Sequence, residues 1–249
     1  MLNYIKAELY KICRRKYTWI FLSVVLVLVA IFIFVWVGPF RFSDMVALLS
    51  STMMFGSFLA VIIVDIVLSD PFRSGTLKNE VSFGISHTTI YLGKHFAAMI
   101  LAFAVCGVIF AYYLGGTWLF TSHENIEAIK TNLLILGYVV AASVPLWLGT
   151  LGFAMACCFL LKNQVAGMVV IFLFLTVGGF IFSLFTMVQV ESVNAVAGFL
   201  LEIHPIACFT AFEGALTWPL MAKSWSIGMG WLIVSTVVGL TSFHRAEIK

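Results

Sequence analysis

Long apolar runs separated by short polar stretches make up almost the whole chain. Six of them approach or exceed the ~20 residues that carry a helix across a bilayer. They cover residues 17–37 (closed by Gly38-Pro39), 45–68, 95–119, 132–161, 165–188 and 225–243. The fourth is longer than a membrane requires and holds Pro145, which predicts a kinked and tilted helix. The runs are helix-length and nearly free of charge. They are unlike the alternating ~10-residue segments of a membrane β-barrel. The pattern predicts an all-α polytopic membrane protein of six spans, folded as one permease-sized domain over residues 1–249.

Three stretches outside the runs carry structure of their own. Residues 1–16 place Leu2, Ile5, Leu9, Ile12 and Cys13 at helical spacing, with Lys6, Lys11, Arg14, Arg15 and Lys16 over the remainder. That is a basic amphipathic helix lying in the membrane interface. It anchors the first span, and it is also suited to packing beside a cytoplasmic partner. Residues 189–224 stay apolar but break at His204-Pro205 into two helical patterns of ~10 residues, too short to cross. A re-entrant helical pair fits, with Glu191, Glu202 and Glu213 on its wet edges. His204 reads as a satisfied turn histidine or as a ligand or pH sensor.

The third stretch is a polar island at residues 70–94, DPFRSGTLKNEVSFGISHTTIYLGK. Residues 73–83 have helix potential. Leu77 and Val81 share one face, and Lys78, Asn79 and Glu80 take the wetter side. Gly84 suits a helix stop, Ser86 or Thr88 an N-cap for the third span, and Pro71 a turn or first helical position after Asp70. The competing reading is a plain loop with snorkelling charges.

Composition agrees with the pattern. The chain is 62% hydrophobic and 10% charged, with a mean hydropathy of +1.10; a soluble domain carries about 25% charged residues. The five cysteines show no metal spacing and read as apolar filler, with no disulfide framework or metal site. The first apolar run follows a long basic segment and offers no small-x-small cleavage site before Gly38, which reads as a retained span.

Charge sets the expected orientation. With the N-terminus inside, eleven Lys and Arg fall on the cytoplasmic side, against Arg41, Lys130 and Lys223 outside. Both termini are then cytoplasmic. The setting expected is a bacterial plasma membrane, with lipid as surroundings and no nucleic-acid partner.

The island resembles the loop after the second span of type-2 ABC exporter permeases. The likeness is to those serving lantibiotic immunity, bacitracin resistance and related antimicrobial-peptide export. It rests on Arg73, Gly75, Thr76 and Lys78 in an R-x-G-T-x-K run, then Ser86 and Lys94. His87 stands where many relatives carry Arg, and Ser69-Asp70 where many carry Glu. The amphipathic start, six spans and outer helical pair extend the likeness over the whole chain. The resemblance implies that Arg73, Ser74, Gly75, Thr76, Leu77, Lys78, Asn79 and Glu80 form a coupling helix. That helix would dock on a separate ABC ATPase subunit that carries ATP and magnesium. It also implies a second permease, identical or different, with spans two and five facing it and the transport path. Met53, Met54, Phe55 and Phe58 of span two, and Thr176, Gly178, Gly179 and Ser183 of span five, are then candidate path or interface residues. Lipid-facing or intramolecular packing is the alternative for them.

Catalytic motifs are missing. There is no G-x-x-x-x-G-K-[ST], no H-E-x-x-H and no G-x-S-x-G, so the chain builds no phosphate loop and reads as a non-enzyme that binds no cofactor itself. Asp65 is the ionisable residue placed within a span and away from its ends. It reads either as a carboxylate reaching the interface or a basic partner, or as a gating group. The alternative function is a six-span secondary transporter or channel without an ATPase.

Overall fold

In a computed structural model, the chain is helical throughout the described residues, with no strand. These are residues 1–73, 76–123, 125–213 and 216–245, with the side chains of residues 70–73, 76, 78 and 213 left out. The chain begins with α1 (Leu2–Arg14) and α2 (Lys16–Trp36), followed by the bent pair α3 (Phe42–Ser51) and α4 (Phe55–Arg73). After the short α5 (Thr76–Ser82) come the long α6 (His87–Phe120) and α7 (Ile126–Leu161). Next is α8 (Gln164–Leu173), continued by a π-helical turn (Phe174–Gly178) and α9 (Gly179–Phe185). Short α10 (Glu191–Glu202) and α11 (Pro205–Thr210) precede α12 (Trp218–Arg245). Among the described residues, five helices are long and apolar enough to cross a membrane, and the α3–α4 pair makes a sixth if it acts as one span. The chain is therefore a multi-pass membrane protein by length and composition of its helices.

The second span differs from the continuous helix expected over residues 45–68. It is broken between Ser51 and Phe55 with a bend of 62°. A break inside a membrane exposes backbone carbonyls that must find donors. Here the indole N–H of Trp147 on α7 donates to the Met53 carbonyl at 2.9 Å. Gly56 lets that ring approach, since a Cβ there would meet the indole at 2.3 Å. Two other boundaries shift. α4 runs on through Pro71 to Arg73, so Pro71 does not open the next helix, and α6 begins two turns before His95.

The most extensive helix–helix contact is α12 along α7. Pro145 removes a helix N–H and frees the carbonyl four residues back. That carbonyl, of Ala141, accepts from the Trp225 indole of α12 at 3.1 Å. Backbones come close along this seam: a Cβ at Gly228 would lie 2.3 Å from the Pro145 carbonyl, and one at Gly149 2.6 Å from the Gly228 carbonyl. Small residues at a helix–helix seam permit such close approach in a membrane.

The two ends of the bundle differ. At the end holding α1, here the basic end, Tyr17, Asp65 and Gln164 meet, and Thr88 reaches His244. At the opposite end Asn132 donates to the Ser43 carbonyl and Tyr138 to that of Thr217. The helical pair α10–α11 also lies at this opposite end, broken at Ile203–His204.

Candidate functional site

At the basic end, three separate elements converge on one buried ammonium. The polar island supplies the first, α5. Its Leu77 and Val81 pack against the core, as their spacing implies. The helix stops because Gly84 takes φ +82, which turns the chain so that Gly84 N–H bonds Val81 O and Ile85 N–H bonds Glu80 O. Ser86 then caps α6, accepting from the Thr89 N–H at 3.2 Å. Of the two cap candidates, Ser86 fills the role.

Two turns into α6 sits Lys94, fully buried. Its ammonium donates to Glu8 Oε2 of α1 at 3.0 Å and to Glu80 Oε1 of α5 at 3.4 Å. Lys11 closes the set, 2.6 Å from Glu8 and 3.5 Å from Glu80. Tyr4 donates to Glu80 Oε2 at 2.8 Å, and its ring centroid lies 5.6 Å from the Lys94 ammonium. Gly93 makes room for that ring, since a Cβ there would meet it at 2.3 Å. Two acids and two bases balance, which is what a buried charged group needs to remain in place.

Local titration follows the geometry. Burial disfavours the Glu8 carboxylate, but the Lys94 and Lys11 ammonium groups outweigh it and hold the carboxyl below its usual range. Burial also disfavours the Lys11 ammonium, and Glu8 and Glu80 outweigh it to raise that group. Burial, then the charge of Glu8, pushes the Tyr4 phenol far above its usual value.

Ile12 and Leu9 of the apolar set of α1 pack inward, and Tyr4 and Glu8 join them on that face. Ile5 is half-buried beside them, while Leu2 and Cys13 are exposed. A signal for this was present: Glu8 is the sole acid before Asp44 and falls at i+4 and i−4 from Tyr4 and Ile12. Lys94 and the buried His95 both lie within α6, so Asp65 is not alone among ionisable residues inside a span.

Of the island's remaining candidates, Ser74 and Gly75 lie outside the described residues, as do the side chains of Arg73, Thr76 and Lys78. Asn79 is exposed. Among the described residues the side-chain donors on Asp65 are neutral and not the basic partner expected: Gln164 of α8 at 2.6 Å and Tyr17 of α2 at 3.3 Å. Arg15, close by, donates to Ile66 O at 2.6 Å and to Ser69.

The span-two and span-five candidates divide. Met53 is buried inside the chain at the helix break, with Met54 packed beside it, and Phe55 is exposed. Phe58 lies on the wall of a groove beside α2. Thr176 is exposed and Ser183 half-buried. Gly178 and Gly179 serve intramolecular packing, because the His204 ring lies 3.4–3.5 Å from where their Cβ atoms would be. His204 is itself buried and donates from Nε2 to the Phe174 carbonyl at 2.9 Å, where the π-turn begins. A π-turn lengthens the ladder and leaves carbonyls in need of outside donors. Burial lowers the His204 imidazole's affinity for a proton, with the Phe174 carbonyl acting the other way. Pro205 begins α11 directly after it.

No group of three or more His, Cys, Asp or Glu side chains is placed to hold a metal among the described residues. The chain matches no protein-family model and none of the curated proteins.

Proposed function

We propose that this chain is the membrane subunit of an ATP-driven exporter, with α5 as the helix that receives motion from a separate cytoplasmic ATPase. The reading is carried by the buried node at Lys94. A surface helix of seven residues is too short to be stable alone. This one is tied through Glu80 to the third span and to α1, so displacement of α5 is passed to two membrane elements at once. A connecting loop has no need of a buried Lys94–Glu8 pair beneath it, joined by its own Glu80.

The orientation that fits places the basic end in the cytoplasm of a bacterial cell, with both termini there. The resemblance of residues 73–80 to exporter coupling helices supplies the partner: a P-loop ATPase binding ATP and magnesium. A second permease copy or homologue completes the assembly. The cargo in this reading is amphipathic, such as an antimicrobial peptide, a drug or a lipid.

The test is co-purification with an ATPase encoded beside this reading frame. Wild-type chain is expected to retain the ATPase in detergent. A variant with Gly75 and Thr76 changed to bulky charged residues, and the core-packed Leu77 left intact, is expected to lose it while keeping its own melting temperature. Retention of the ATPase and of ATP-linked transport by that variant would refute the assignment.

A further inference from the structure

Between α2, α4 and α6 runs an apolar groove of about 460 Å³. That is within the ~300–1,000 Å³ of small-molecule sites. Its walls carry Phe21, Phe32, Phe58, Phe110, Tyr113 and Trp147, an aromatic density that favours cations as well as apolar chains. The groove lies among membrane-spanning helices, so lipid is its default filling. Its basic end makes it selective.

There the two walls meet at a polar bridge. Phe21 of α2 and Ile62 of α4 both line the groove. One turn beyond them, towards the basic end, are Tyr17 and Asp65, joined by the Tyr17 hydroxyl on Asp65 Oδ2 at 3.3 Å. The other oxygen of Asp65 accepts from Gln164 at 2.6 Å. A carboxylate has about four acceptor positions, and neutral donors leave its charge unbalanced. Arg15 of the neighbouring helix start donates to Ile66 O and Ser69, a further turn along α4. A membrane carboxylate held by neutral donors favours an incoming positive charge, and the weak Tyr17 bond is the contact that such a charge displaces.

We infer that this groove is a binding site for a single-chain cationic amphiphile, with the chain among the aromatic walls and the ammonium on Asp65. The site stands apart from ATP coupling. Binding to the lone chain is measured without nucleotide, so failure of either reading leaves the other intact.

The test uses the full chain in phosphatidylcholine nanodiscs with three probes of equal chain length: dodecyltrimethylammonium, dodecanol and dodecyl sulfate. A diazirine-bearing analogue of the ammonium probe locates the adduct by peptide mapping. Wild type is expected to prefer the ammonium over the alcohol by about tenfold, the usual scale of one charge-assisted contact. Adducts should fall on α2 and α4 walls and be displaced by unlabelled probe. Asp65→Asn keeps an acceptor and should bring the ammonium-to-alcohol ratio near one, whatever happens to absolute affinity. Val25→Trp fills the groove and should weaken both probes, whereas Val165→Trp, on an exposed face of α8, should leave them unchanged. The inference fails if Asp65→Asn keeps the wild-type ratio, if the sulfate binds best, or if adducts spread evenly over lipid-facing helices.

Discussion

Replacing Lys94 by Met is the sharpest perturbation of the node. Met keeps an unbranched apolar stem and removes only the charged tip. In the folded chain that tip lies 3.0 Å from Glu8 and 3.4 Å from Glu80. At an effective dielectric of ~20 each attraction is about 5 kcal/mol. Desolvation of the ions opposes this by several kcal/mol apiece, so the net value of the whole node is small. Removing one member is a different matter, because it strands the others. Glu8, almost fully buried, would keep only Lys11, which is half exposed and screened. The expected loss for Lys94→Met is about 3–5 kcal/mol. Glu8→Gln added to it should recover part of the loss, with a coupling of about 1–3 kcal/mol. Thermal unfolding in detergent, followed by a thiol-reactive dye, measures the cycle. Trypsin cleavage at Lys11 and Arg14 reports release of α1 and should quicken in Lys94→Met. A loss below about 1 kcal/mol, or additivity of the two changes within ~0.5 kcal/mol, would refute the account of a coupled buried node.

Other consequences are open to measurement. Gly228→Ala places a Cβ 2.3 Å from the Pro145 carbonyl and should cost about 1–3 kcal/mol in thermal stability, whereas Gly230→Ala, which meets nothing within 4 Å, should be neutral or slightly stabilising. His204 titrates below its ordinary value in the folded chain, so the unfolded chain takes the proton first and stability falls as pH drops below ~6.5. The melting temperature of wild type should decline from pH 7 to 5, and that of His204→Phe should not follow the same slope. Glu8 acts in a lower window: its depressed carboxyl contributes stability above ~4.3 that is lost on further acidification, so the two groups are separable by pH.

Much of this architecture was legible along the chain. Apolar runs near bilayer length specify spans whatever they pack against, because the bilayer leaves backbone polar groups no other partners. Gly84 and Ser86 marked the end of α5 and the start of α6, since a positive φ and an N-cap are local requirements met by local residues. The break at His204-Pro205 was readable for the same reason.

What escaped the sequence depended on groups far apart in it. Span two reads as one continuous apolar run, and its break is held by an indole 94 residues away. Hydropathy cannot register a carbonyl that finds its donor on another helix. Glu8 and Lys94 are separated by 86 residues, and each alone looks like a solvated interfacial charge. Only their meeting under α5 turns two ordinary charges into a buried pair. The sequence alone determined that this is a multi-span helical protein with a polar island of helix potential set between two spans. The tertiary structure decided that the island forms a helix and that this helix is fastened to the bundle by ions, because electrostatic pairing depends on distance in space and carries no periodicity along the chain.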